Sequence, residues 1–245
     1  MITRIAVVPH PPLLVPELVP GAVESTAPVR DACLDAARGL ARAARSWIAV
    51  GVAQRFSTIG PASCGTFAGF GVDVPVALSS RDGCGTGTGT ELPLPALVAG
   101  WLRERAGAES VRVELVPADA TVADCVAVGR RIAASSAAAA DAEVGLLVLG
   151  DGSTRHSSAP PGWPDERAAA FDATVGAALA AADVRALLEL DPVLAAELQA
   201  QGRAAWQVLA GFAEAGTRAS GWRARLLYSE APFGVAYHVA TWECP

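Results

Sequence analysis

Four short runs rich in branched aliphatic residues constrain this chain more than any other feature. They lie at residues 2–8, 47–52, 111–116 and 144–149, and helical spacing or irregular sequence separates them. The run at 144–149 is continuously apolar, whereas Val111, Val113 and Leu115 alternate with polar neighbours. Short, nearly continuous apolar runs read as strands buried on both faces. Strands alternating with helices predict an α/β sandwich, a single domain over residues 1–245 with helices flanking a central, mostly parallel sheet.

The intervening stretches supply the helices. Residues 9–20 hold prolines at Pro9, Pro11, Pro12, Pro16 and Pro20, which predicts a stiff, extended loop. Thr26 is read as the cap of the next helix, with Pro28 in its first turn and Val29, Cys33, Ala37, Leu40 and Ala44 as its buried stripe. Further helices are expected at 94–106 and 121–136, from Pro164-Asp165-Glu166 onward, and at 191–200 and 203–215. Phe171, Val175 and Leu179 are the stripe of the helix that follows Glu166. Residues 222–228 and 235–242 read as two strands around a turn at 230–234, which makes the sheet mixed. The stretch 54–90 reads as irregular, and the Gly/Thr-rich part at 82–90 reads as a flexible surface loop.

Composition narrows the function. The 25 acids and 19 bases leave a net charge of −6 without any basic tract, so neither nucleic acid nor an anionic membrane is an expected partner. All the bases are arginine, which removes lysine Schiff-base chemistry and the P-loop. No apolar run approaches the roughly 18–20 residues a membrane span needs. Five scattered cysteines with no Cys-x-x-Cys, and an opening Met1-Ile2-Thr3-Arg4 that runs straight into a strand, predict reduced thiols in a cytoplasmic protein.

Ligands of open α/β sheets bind beyond the carboxyl ends of the strands. Three polar clusters are expected there: His10; Asp151, Ser153, Thr154, Arg155 and His156; and Tyr228, Ser229 and Glu230. The prolines around His10 hold its backbone, so its ring suits a metal or a substrate anion. Asp151 reads as a metal ligand, as an orienter of a histidine or as an Asx-turn residue. His156 reads equally as a proton acceptor or a solvated loop residue, and His238 as a structural histidine. A hydrolase built on Ser153 and His156 is a minor alternative, because their spacing does not set a base against a nucleophile.

Taken together, these stretches resemble the class III extradiol ring-cleavage dioxygenase superfamily, and within it an alanine-rich group from high-GC bacteria. The chain also resembles the Memo-like proteins remotely. The resemblance rests on residues 5–17 around Pro9-His10-Pro11-Pro12, on Leu149-Gly150-Asp151-Gly152-Ser153, and on 165–172, 202–211 and 231–237. It implies Fe(II) held by His10 and a C-terminal carboxylate, Glu230 being the nearest. It further implies acid–base work by His156 and Asp151, and a catechol-like substrate near Ser153, Thr154 and Arg155. Two departures stand out: residues 51–58, where a second histidine ligand belongs, have none, and Thr154 stands where the acid–base histidine is expected. The alternative is a metal-free, catalytically inactive homologue with no cofactor. Its cleft would bind a small anionic ligand through Arg55, Arg155 or Arg203, or a protein partner. A homodimer is expected by analogy.

Overall fold

The computed structural model describes residues 2–80, 91–138, 143–157, 163–216 and 221–244, so the Gly/Thr-rich stretch at 82–90 lies outside the described residues. The first half holds β1 (Arg4–Val8), α1 (Val23–Ala43), β2 (Ser46–Ala53), β3 (Ser57–Ile59), β4 (Cys64–Thr66), β5 (Pro75–Ala77), α2 (Leu94–Ala106) and β6 (Ser110–Pro117). The second half holds α3 (Val122–Ala138), β7 (Val144–Leu149), α4 (Arg167–Ala181), α5 (Val184–Leu188), α6 (Pro192–Glu197), α7 (Arg203–Ala215), β8 (Arg223–Glu230) and β9 (Tyr237–Glu243). One seven-stranded sheet runs in the order β3-β6-β2-β7-β1-β9-β8, and β4 and β5 form a second, two-stranded sheet. The central strands β6, β2, β7 and β1 are parallel, and β3, β9 and β8 join antiparallel. The fold is therefore α/β with a mixed sheet.

The core explains why those strands read as continuous apolar runs. Ile5 and Val7 of β1 and Leu146 and Val148 of β7 pack against α3, α4 and α7 on one face. Ala6, Val8, Leu147 and Leu149 pack against α1 and α2 on the other. Both faces are covered, so neither can be polar. Among the described residues no helix is long and apolar enough to cross a membrane.

Several boundaries differ from the expected ones. Helix α1 begins three residues before Thr26, whose hydroxyl donates to the carbonyls of Ala22 and Val23 inside the first turn instead of capping it. Pro28 thus lies within the helix. The bond it removes is on the exposed side, and Arg30 ties the first turn together by donating to Val23 and Thr26. Part of the stretch read as irregular forms β3, β4 and β5. Helix α4 starts at Arg167, because Asp165 is engaged by the Arg167 amide and guanidinium. The expected helix over 191–200 is the shorter α6, while α5 has no counterpart in the sequence reading. The β8–β9 ladder extends to Glu230↔Tyr237 after a register shift between Leu226 and Tyr228. Tyr228, Ser229 and Glu230 therefore lie within an edge strand, not beyond its end.

Candidate functional site

The order of the strands fixes where a crevice opens. From β1 the chain steps over β7's place to β2 and on to β6, and then it returns to β7. Right-handed crossovers turn that reversal into helices on opposite faces. The segment leaving β1 leads to α1 on one face, and the segment leaving β7 leads to α4 on the other. Neighbouring strands whose continuations part in this way leave a gap at their carboxyl ends. His10 lies just past β1 and Asp151 just past β7.

The two residues meet in that gap. The His10 amide donates to Asp151 Oδ1 at 2.8 Å, and His10 Nδ1 is 3.7 Å from the same oxygen. His10 is 2% exposed, and its Nδ1 is buried without a hydrogen-bond partner. A carboxylate beside Nδ1 favours the tautomer protonated there and leaves the Nε2 lone pair as the ring's acceptor. Gly152 makes the loop possible: a Cβ there would fall 2.3 Å from Asp172 Oδ1 and 3.0 Å from the Ala236 carbonyl.

His10, Asp151, Thr154 and Tyr237 line a cleft of about 970 Å³ whose other walls include Pro11, Leu94, Pro192, Val193, Ala196 and Val235. Burial, and secondly the Asp151 charge, push the Tyr237 phenol well above its ordinary range, so it stays a donor at neutral pH. A second cavity of about 680 Å³ shares His10, Leu94 and Gln201 and adds Gln54, Arg55 and Phe70. A mainly apolar cleft with a few converging polar groups is the usual form of a small-molecule site.

The rest of the loop after β7 faces elsewhere. The Ser153 hydroxyl donates to the Leu198 carbonyl and accepts from the Arg155 amide, and the residue is fully buried. His156 Nε2 is 2.6 Å from Asp172 Oδ2. His238 bridges Asp172 Oδ1 at 3.3 Å and the Ser229 hydroxyl at 2.9 Å, while the Ser153 amide donates to both Asp172 oxygens. Asp172 is thus the hub of a network that joins this loop to α4 and β9. Sequence reasoning misses Asp172 as a functional residue, although a lone acid beside Phe171, Val175 and Leu179 on a buried helix face signals a paired charge.

Ser153, Arg155 and His156 do not line the His10 cleft. Arg203 lines it, but its guanidinium is bound to the Ala118 and Ala120 carbonyls and to Gln207, so it braces the loop after β6. Glu230 is exposed on β8 and hydrogen-bonded to Tyr228. The donor set around His10 therefore does not fit a 2-His-1-carboxylate Fe(II) site. Asp151 is the carboxylate beside it, both other histidines are held by Asp172, and among the described residues no group of three or more His, Cys, Asp or Glu side chains is placed to hold a metal ion.

No family model and no curated protein matches the chain. In structure it is similar to the crystal structure of uncharacterized protein JW3007 from Escherichia coli K12, with a TM-score of 0.53 at 11% identity, over 98% of this chain and 99% of that one. The two share a fold.

Proposed function

We propose that the cleft between the ends of β1 and β7 binds a small aromatic molecule carrying a hydroxyl group, which His10 receives as a hydrogen-bond acceptor. The observation that carries this reading is the His10 ring itself, buried at the cleft with Nδ1 turned toward Asp151, while Nε2 forms no hydrogen bond among the described residues. Polar groups buried in a fold are nearly always paired, so one with an open hydrogen-bonding position calls for a partner from outside the chain. The apolar walls suit a flat ring, and Tyr237 adds a donor to the same cleft. The Asp151 carboxylate beside Nδ1 orients the ring, so that Nε2 is the nitrogen that accepts from a ligand hydroxyl. The resemblance to extradiol dioxygenases supports the same ligand class, a catechol-like ring. The donor set around His10 supports a metal-free mode of binding it.

The test is titration of catechol into the full chain, followed by ligand-observed NMR. Saturable binding that weakens at least about tenfold in His10→Ala is expected. Equal binding by the variant overturns the assignment of His10. Metal analysis after anaerobic exposure to Fe(II) is the second arm. Near-stoichiometric iron that is lost in His10→Ala would overturn the metal-free reading in favour of a dioxygenase-like one.

A further inference from the structure

A third cavity lies at the opposite end of the sheet, where α1 crosses the β1–β9–β8 side. Its volume is about 600 Å³, and Arg4, Arg42, Arg225, Asp35 and Thr241 line it. The fold gathers these residues from distant parts of the chain. Arg4 begins β1, Arg42 is in the last turn of α1, and Arg225 of β8 stands directly opposite Thr241 of β9. Gly39 of α1 gives the Arg4 guanidinium room, since a Cβ there would sit 3.1 Å from Arg4 Nη2.

The charges do not balance. Arg4 pairs with Glu243 at 2.5 Å, and Asp35 is 3.4 Å from Arg38. The side chains of Arg42 and Arg225 form no ion pair or hydrogen bond among the described residues, and Arg4 Nε is buried without a partner. Glu243 offsets Arg4, so the unpaired guanidiniums of Arg42 and Arg225 leave the cavity net positive even with Asp35 on its wall, in a chain whose net charge is −6. Such a cluster raises the local potential and repels itself until an anion enters. Guanidiniums recognise anionic oxygens as bidentate forks, and the Thr241 hydroxyl adds a further donor.

We infer that this cavity binds a small polyanion, one bearing at least two phosphate or carboxylate groups, through Arg42, Arg225 and Arg4. It lies apart from the His10 cleft, with which it shares no lining residue.

Isothermal titration calorimetry tests this on the full chain, with pyrophosphate and with citrate as probes at fixed ionic strength. One-to-one binding of at least one probe is expected, and the preferred probe tells phosphate from carboxylate recognition. Arg42→Gln combined with Arg225→Gln should weaken it by at least about tenfold, since both charge-assisted contacts are removed. Both residues are exposed, so the double variant should melt like the parent. Arg130→Gln, whose guanidinium pairs with Glu214 elsewhere, should bind like the parent, as should His10→Ala. No saturable heat with either probe, or unchanged binding by the double variant, overturns the inference.

Discussion

Two histidine–carboxylate clusters grow from the loop after β7, and they differ in what each leaves unsatisfied. Around Asp172, His156, His238 and the Ser153 amide all hold the same carboxylate, and the far nitrogen of His238 holds Ser229. Around Asp151, the His10 amide takes one oxygen and the ring nitrogen beside it goes without. The first cluster fastens a loop to a helix and a strand. The second stands open on a cleft. The same residue types thus do different work, and hydrogen-bond completeness tells them apart better than residue identity does.

The largest effect is expected at the closed hub. Asp172→Ala leaves two ring nitrogens and a buried amide without their acceptor, at about 3–5 kcal/mol. In a chain of this size that lowers the melting temperature by roughly 6–20 °C. A shift under about 3 °C in a thermal melt would put the two clusters on one footing. The sharpest contrast comes from one substitution made twice. His238→Phe strands Asp172 and Ser229 and should cost about 1–3 kcal/mol in urea unfolding. His10→Phe replaces a ring that is already unsatisfied, so stability should change by less than about 1 kcal/mol while catechol affinity falls at least about tenfold. Two similar losses of stability would erase the distinction.

The smallest effect concerns Glu230, which belongs to neither cluster. Burial, and after it the Glu230 charge and hydrogen bond, raise the Tyr228 phenol to about 12. A phenol raised in the folded state stabilises below its unfolded value of about 10, and that contribution is lost as pH rises through the folded value. Glu230→Gln should lower the Tyr228 midpoint in an ultraviolet titration and leave catechol binding unchanged. A loss of binding would tie Glu230 to the cleft after all.

The central strands are legible in the sequence because burial on both faces writes itself into the local pattern, as at 144–149. His10 and Asp151 are legible as site candidates because a residue just past a parallel strand has its place fixed by topology. What stays hidden depends on partners far along the chain. Nothing near Ser153 says that its hydroxyl will meet Leu198, 45 residues on, or that His238 will reach Asp172, 66 residues back. Arg203 reads as an anion receptor in sequence, yet the carbonyls of Ala118 and Ala120 take its donors in the fold. The length of β8 is hidden too, because a register shift continues the ladder beyond the point where the apolar pattern fades.

That edge strand bears on how copies of the chain meet. The seven-stranded sheet ends on one side with the three residues of β3 and on the other with the eight of β8. An open strand of eight residues is a template for a neighbour's backbone and, repeated, for a fibril. Here Arg223, Arg225 and Glu230 stand exposed along it, and the irregularity after Leu226 breaks the regular spacing of its hydrogen-bonding groups. An approaching strand would have to desolvate two guanidiniums and a carboxylate while failing to keep register. The irregularity that hides Glu230's place in the sequence also works against edge-to-edge growth of the sheet.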